Sequence, residues 1–273
     1  MAPAPRPTPP RVSGRLTCVE VGGGSIQSIL FDGARTHIRD GAYAAADAPL
    51  LIASPGLIRG RRVLAASNLQ WFDVDPAEEL GLDAPVDLLL NDAHAAALGE
   101  FALRGARTGL TFVGLGTGVG AAVVSHSEGN STGIASKAEL GHITGFSSMP
   151  CACGRTGCLE TVAAGWALPD PLSSGDEASL IEALAAGLRS FIPSPTEPSL
   201  IVLGGGLARR YPSLVQSLAT ALPGQRIEPS AAPTGAKSAS AWGLRYAFEH
   251  SMTSDQAIPE DLDIVDGSKA TLQ

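Results

Sequence analysis

Three of the four cysteines and one of the five histidines lie in a single short stretch, "ELGHITGFSSMPCACGRTGCLE", at residues 139–160. The four side chains are His142, Cys151, Cys153 and Cys158. Thiolate sulfur and imidazole nitrogen suit Zn²⁺, and four such ligands complete a tetrahedral shell. Glycines between the cysteines allow the chain to double back around one ion. The spacing therefore predicts a zinc site; the alternative is an incidental cluster of reduced thiols in a loop.

A four-ligand shell leaves no open position for water, so the predicted zinc is structural. Glu139 and Glu160 flank the ligands on either side. Carboxylates that are held by a metal-bound loop are well suited to hydrogen bond with the hydroxyls of a ligand. Taken alone, however, either glutamate is better explained as a solvated surface acid.

Three glycine clusters form the second chemical feature of the sequence. They read "VEVGGGS" at 19–25, "GLGTGVG" at 114–120 and "VLGGGLA" at 202–208, and each follows an apolar strand-like run. A glycine turn at the end of a strand exposes backbone N–H groups with no side chain in the way, which suits phosphate oxygens. One such cluster is explained by an ordinary turn. Three in one chain favour a phosphate-binding site.

The first elements that must position these residues alternate between strands and helices. Segments 15–33 and 109–125 each predict a strand, a glycine turn and a second strand. Segment 86–105 predicts a buried strand that runs into a helix, with Asn91 and Asp92 at the junction. The repeated hairpin indicates an α/β protein with two related lobes that face a cleft.

Further along the chain, 198–222 predicts a strand, three glycines and one helix, and 235–250 predicts a last helix. We therefore expect an N-terminal lobe at 15–105 and a C-terminal lobe at 106–250, with the zinc segment in the second lobe. A Pro-rich tail at 1–14 and an acidic, polar tail at 251–273 are expected to be disordered.

Length and charge exclude several classes of function. The 273 residues exceed a typical single domain, which agrees with two lobes. A formal net charge of −8 argues against a broad nucleic-acid-binding face, because phosphate neutralisation needs clustered Lys and Arg. No apolar run is long enough to predict a membrane span, and the N-terminus lacks the apolar centre of a secretory signal. A reducing cytoplasm is the expected location.

Four further stretches extend the zinc segment into a family pattern. They are "SPGLIRGRRVLAASNLQWF" at 54–72, "NDAHAAALGE" at 91–100, "GLGTGVGAAVV" at 114–124 and "IVLGGGLA" at 201–208. Together with "ELGH" and "CACGRTGCLE" they resemble the ROK family of sugar kinases, members of the actin-like ATPase superfamily. The resemblance runs from about Arg15 to about Glu249. It implies two actin-like (ribonuclease H-like) α/β lobes around a central cleft, with a small zinc-bound loop.

The resemblance also implies roles for individual residues. Asp92 would be the general base that takes a proton from the attacking hydroxyl, although without the resemblance it is better explained as a helix cap. His142 would bind zinc with one ring nitrogen and a substrate hydroxyl with the other. The expected hydroxyl-binding side chains are Asn68, Asn91, Glu139, His142 and Glu160. The expected ATP-binding residues are Gly22, Gly23, Gly116, Thr117, Gly118, Gly204, Gly205 and Gly206.

The first phosphate loop departs from the family pattern. Where the family has Asp-x-Gly-Gly-Thr, this chain reads "EVGGGS", with Glu20 at the Asp position and Gly24 at the Thr position. Glu20 keeps a carboxylate and is a candidate ligand for Mg²⁺, either directly or through water. The hydroxyl is lost from its usual place, although Ser25 is adjacent. The chain is also short between Glu160 and Gly204.

The expected function is an ATP-dependent kinase that phosphorylates a primary hydroxyl of a hexose or a hexose-like cyclitol. Structural Zn²⁺ and Mg²⁺ with ATP are the expected cofactors, and a homodimer is the expected assembly. One alternative is a catalytically silent sugar-binding protein of the same family. A transcriptional regulator is set aside, because fourteen Pro-rich residues before the first strand cannot supply a winged helix.

Overall fold

The computed structural model describes residues 14–33, 35–106, 108–126, 132–135, 140–192, 200–233 and 239–250. Apart from Gly14, the two predicted tails lie outside the described residues, and so does Glu139.

The first part of the chain forms a five-stranded sheet, a small three-stranded sheet and two helices. The elements are β1 (Arg15–Val21), β2 (Ile26–Asp32), β3 (Arg35–Asp40), β4 (Leu50–Ser54), β5 (Leu57–Arg59), β6 (Arg62–Ala66), β7 (Trp71–Val74), α1 (Pro76–Glu79), β8 (Val86–Asn91) and α2 (Asp92–Leu103). The large sheet has the order β3-β2-β1-β4-β8, and β5-β6-β7 form the small one. Strands β1 to β3 are antiparallel neighbours, whereas β4 runs parallel to both β1 and β8.

The second part repeats this arrangement. Its elements are β9 (Leu110–Leu115), β10 (Val119–His126), β11 (Thr132–Ala135), a 3₁₀ turn (Leu140–His142), α3 (Glu160–Ala163), α4 (Ser174–Phe191), β12 (Leu200–Gly204), α5 (Gly205–Arg210), α6 (Ser213–Ala221), β13 (Arg226–Pro229) and α7 (Ala239–Glu249). The sheet order is β11-β10-β9-β12-β13, again an antiparallel meander followed by parallel neighbours. The predicted α/β class and the two glycine hairpins are confirmed.

The single helix predicted within 198–222 is wrong. The structure has α5 and α6 there, separated at Tyr211 and Pro212. Pro212 lacks the N–H that a continuing helix needs, and proline disfavours the helical conformation in the residue before it. Tyr211 accordingly adopts φ −121° and ψ 77°, which ends α5.

The last helix returns to the first sheet. Helix α7 packs along α2 and against β1, with Trp242 edge-on to Phe31 at 5.0 Å between ring centroids and Tyr246 edge-on to Phe101 at 5.8 Å. Helix α2 also contacts β9 and β10, so one core joins both sheets. The predicted lobe division after residue 105 stays a prediction. None of the described helices is long and apolar enough to cross a bilayer.

Two glycines allow α2 and α7 to cross with their backbones in contact. A Cβ on Gly99 would lie 1.8 Å from the carbonyl oxygen of Ala239, and a Cβ on Gly243 would lie 1.6 Å from that of Ala95. Neither carbonyl is the flexible end of a side chain, so an added methyl would force the helices apart.

We therefore expect Gly243→Ala to lower the free energy of unfolding by about 3 kcal/mol. The matched control is Gly175→Ala in α4, where the only atom within 4 Å of the added carbon is the Ser173 hydroxyl at 3.7 Å. That change should leave stability within about 1 kcal/mol of the wild type. Chemical denaturation measures both, and equal effects would contradict the close helix crossing.

Candidate active site and metal centre

The predicted zinc ligands converge on one point. The ligand atoms of His142, Cys151, Cys153 and Cys158 all lie within 4.8 Å of one another. Nδ1 of His142 is 3.6 Å from the sulfur of Cys151, and the sulfurs of Cys153 and Cys158 are 3.6 Å apart. A tetrahedral zinc, about 2.3 Å from sulfur and about 2.1 Å from nitrogen, places its ligand atoms about 3.6 to 3.8 Å apart. The four residues therefore fit a zinc ion.

The protonation of these thiols supports the same conclusion. Burial, with a smaller contribution from the adjacent thiols, raises the pKa of Cys158 to about 12. Burial also raises the pKa of Cys151. Three thiolates packed together are unfavourable without a cation, whereas a bound zinc deprotonates its thiol ligands outright. The donor set is therefore suited to a metal ion, whose chemistry here would be to cross-link the loop.

Backbone hydrogen bonds fold the loop around this point. Cys151 N–H donates to the Arg155 carbonyl at 2.8 Å, and Gly157 N–H donates to the Met149 carbonyl at 2.8 Å. Gly157 has φ +76°, and a Cβ there would lie 2.4 Å from the Ser147 carbonyl oxygen. Only glycine meets both requirements, which explains its place one residue before Cys158.

The loop that carries the four predicted zinc ligands leads into α3, which begins at Glu160. Oε1 of Glu160 accepts a 2.8 Å hydrogen bond from the backbone N–H of Val119, at the start of β10. Its other oxygen lies 4.0 Å from Nδ1 of His142. The metal ligand, this carboxylate and the second glycine hairpin thus form one continuous wall.

The junction of β8 and α2 places the proposed base. Asn91 caps α2, because its Oδ1 accepts from the N–H groups of Ala93 and His94 at 2.9 and 3.2 Å, and its Nδ2 donates to the Gly56 carbonyl at 3.0 Å. Asp92 follows as the first residue of the helix, and its Oδ1 also accepts from Ala93 N–H at 2.8 Å. The N-cap of α2 is therefore Asn91 and not Asp92, which the sequence alone had allowed as the cap.

The two glycine hairpins approach each other. The first hairpin (the turn 22–25) is closed by a 2.9 Å bond from Gly22 N–H to the Ser25 carbonyl, and the second hairpin (the turn 116–118) by a 3.0 Å bond from Gly116 N–H to the Gly118 carbonyl. A Cβ on Gly23 would lie 3.4 Å from both Asn68 Nδ2 and Thr117 Cγ2. Asn68 and Thr117 thus meet beside the first hairpin.

The strand that leaves the second hairpin touches the helix that carries Asp92. A Cβ on Gly120, in β10, would lie 3.2 Å from the Cβ of Ala93. The residue next to the proposed base therefore packs directly on the strand that leaves the second hairpin. The start of α2, the strand after the second hairpin and Glu160 therefore belong to neighbouring parts of the structure.

The third glycine cluster packs against the second hairpin's first strand. Gly204 ends β12 and Gly205 begins α5 with φ +92°. A Cβ on Gly205 would lie 2.1 Å from the Leu115 carbonyl oxygen, so this glycine is required by packing. Gly206 has no atom within 4 Å of its would-be Cβ and lies open. Glu20, the candidate Mg²⁺ ligand, is a half-buried residue of β1.

Sequence reasoning missed three residues that hold the wall together. A Cβ on Gly141 would lie 2.3 Å from the Val119 carbonyl oxygen, and Gly165 N–H donates to the Gly116 carbonyl at 2.8 Å. The buried Thr161 hydroxyl donates to the Cys158 carbonyl and lies 2.6 Å from the Ser147 hydroxyl. Of these residues, Gly141 alone had a signal in the sequence, because it lies within "ELGH" and directly precedes His142.

Comparison with known proteins places this arrangement in a family. Residues 39–182 match the model of the ROK family. Over 196 residues the chain is 31% identical to the N-acetylmannosamine kinase of Escherichia fergusonii, covering 61% of this chain and 67% of that protein. Over 106 residues it is 40% identical to a glucokinase of Halalkalibacterium halodurans, covering 36% of this chain and 31% of that protein. The chain belongs to the ROK family.

A solved structure supports the fold. The ROK family glucokinase of Streptomyces griseus, crystallised with glucose and AMPPNP, superposes with a TM-score of 0.65 at 22% identity. The match covers 85% of this chain and 99% of that one. The actin-like arrangement that the resemblance implied is confirmed at the level of the fold.

We expect purified wild-type protein to contain about one zinc per chain and Cys153→Ser to contain far less after dialysis, because one of four ligands is lost. Elemental analysis measures both. The control is Cys18→Ala, which removes a buried cysteine of β1 that lies outside the cluster and should leave zinc content unchanged. Zinc retained at full stoichiometry in Cys153→Ser would contradict the assignment.

Proposed function

We propose that this protein is an ATP-dependent kinase that transfers a phosphoryl group to a primary hydroxyl of a hexose or a hexose-like cyclitol. The observation that carries the proposal is the contact between three parts. Helix α2, which begins at Asp92, packs through Ala93 on β10, the strand that leaves the second glycine hairpin, and the first residue of β10 is hydrogen bonded to Glu160 beside the predicted metal ligands. An acceptor hydroxyl, a base and a phosphate-binding turn can therefore share one site.

Each group has a role in the proposed reaction. Asp92, at the positive end of α2, takes the proton of the attacking hydroxyl as it approaches the γ-phosphate. Gly116, Thr117 and Gly118 lie along the phosphates, to which the turn can offer backbone N–H groups other than that of Gly116, which closes the turn. Phosphoryl transfer needs mainly positioning and charge stabilisation, so these modest groups suffice. Mg²⁺ with ATP would neutralise phosphate charge, with Glu20 as the candidate protein ligand.

The acceptor is recognised by the wall described above. Asn68, His142 and Glu160 offer amide, imidazole and carboxylate groups to hydroxyls; Glu139 and Asn91 are further candidates. His142 presents Nδ1 to the metal cluster, and its Nε2 would bind a hydroxyl. Relatives named N-acetylmannosamine kinase and glucokinase make a hexose the first choice of substrate. A cyclitol is retained because the first hairpin departs from the family pattern.

The second candidate function is a catalytically silent sugar-binding protein. It is favoured by the altered first hairpin, in which Glu20 and Gly24 replace the usual acid and hydroxyl. The second hairpin and Asp92 support the kinase instead. Dimerisation and a cytoplasmic location stay predictions, the first of which mass measurement in solution would test.

An ATP-coupled assay over a panel of hexoses and cyclitols should show turnover that Asp92→Asn lowers by about 10²- to 10⁴-fold, because the general base is lost. Sugar and nucleotide binding should survive, since the side chain keeps its size. The control is Asp83→Asn, at an exposed acid in the turn before β8. No turnover by the wild type on any acceptor, with sugar binding intact, would support the silent binding protein.

A further inference from the structure

The metal segment (residues 140–165) grips the second hairpin on both sides of its tip. Before the tip, the Gly116 carbonyl accepts a 2.8 Å bond from Gly165 N–H. After the tip, Val119 donates its N–H to Glu160 Oε1 at 2.8 Å. The Val119 carbonyl lies so close to Gly141 that a Cβ there would be 2.3 Å away. Three separate points of one segment therefore fix a turn of three residues.

Glu160 is the only side chain among these contacts, and the fit around it is tight. A Cβ on Gly118 would lie 2.3 Å from Oε1 of Glu160, so the carboxylate lies flat against the hairpin backbone. Val119 is only 5% exposed, so its N–H needs a partner within the protein. Without the carboxylate, that N–H would be unsatisfied and the turn would lose one of the three contacts that fix it.

We propose that Glu160 is a positioning residue for the nucleotide: its Oε1 holds the second hairpin in the conformation that receives the phosphates. This rests on the proposed function, in which the hairpin binds ATP. The other oxygen lies 4.0 Å from Nδ1 of His142, the ring nitrogen that faces the predicted zinc ligands, and it is the oxygen that the proposed function assigns to a substrate hydroxyl. One carboxylate thus joins the sugar wall to the phosphate turn, and the metal segment orients both.

Two substitutions separate this role from sugar binding. Glu160→Gln keeps the length of the side chain and an oxygen that accepts the Val119 N–H, whereas Glu160→Asp keeps the charge and is one methylene too short. Calorimetric titration with Mg-AMPPNP, without sugar, measures the nucleotide affinity. We expect Glu160→Asp to weaken binding about tenfold or more, and Glu160→Gln to change it less than about threefold. Sugar KM should rise in both.

Glu182→Asp makes the same change at an exposed position of α4 and should bind the nucleotide as the wild type does. Zinc content and the melting temperature are measured for every variant. Unchanged nucleotide affinity in a folded, zinc-containing Glu160→Asp would overturn the inference and confine Glu160 to sugar binding. No binding of Mg-AMPPNP by the wild type would instead overturn the proposed function itself.

A measurement on the wild type covers the case in which Glu160→Asp does not fold. Amide hydrogen exchange is compared before and after removal of the metal by chelation. We expect the N–H groups of Val119 and Gly165 to exchange at least about tenfold faster without metal, while those of β12 stay protected. If the amides of both sheets all exchange faster to the same extent, the metal stabilises the whole protein and not the hairpin in particular. If exchange at Val119 does not change, the metal segment does not hold the hairpin. Either result would overturn the inference.

Discussion

The convergence of three thiols and one imidazole is the interaction on which the rest of the site depends. The metal segment has few large apolar residues of its own between His142 and Cys158, and two of its glycines adopt positive φ angles near the cysteines. Such a chain cannot repay its conformational entropy by burial alone. A zinc ion bound by the four side chains would remove that freedom, because metal binding to a folded site contributes directly to its stability. Because Glu160 lies only two residues after Cys158, a fixed position of Cys158 also restricts the position of Glu160.

The two sheets supply the frame for this wall. Each sheet has an antiparallel meander followed by parallel strands, so each presents a glycine hairpin at the same place in its topology. Helix α2 joins them, since it leaves β8 of one sheet and packs on β9 and β10 of the other. The close crossing of α2 and α7 at Gly99 and Gly243 fixes that helix from behind. The position of Asp92 is therefore set by contacts far from any substrate.

Residue type and spacing were enough to predict the metal ligands, the two hairpins and the strand-to-helix junction at Asn91. Those features are local: thiols within eight positions, glycines between apolar runs, an Asn before a helix. The hydrogen bond from Val119 to Glu160 joins residues that are 41 positions apart in the chain. Its donor is a backbone N–H, so the type of residue at position 119 does not predict it. The same holds for the return of α7 to β1. The break between α5 and α6 at Pro212, by contrast, could have been predicted from the sequence, because proline cannot continue a helix in the usual way.

The loss of the usual hydroxyl from the first hairpin can be compared with the residue of the second hairpin that lies beside it. Gly24 lacks the hydroxyl that the family pattern has there, yet a Cβ on Gly24 would lie 3.8 Å from Thr117 Oγ1. A hydroxyl from the second hairpin therefore already lies beside the position. Any side chain at residue 24 would share that space with Thr117, whereas glycine leaves it to the threonine. Because Thr117 belongs to the turn that Glu160 and Gly165 hold, the proposed kinase would depend for phosphate recognition more heavily on the second hairpin, and so on the metal segment, than on the first.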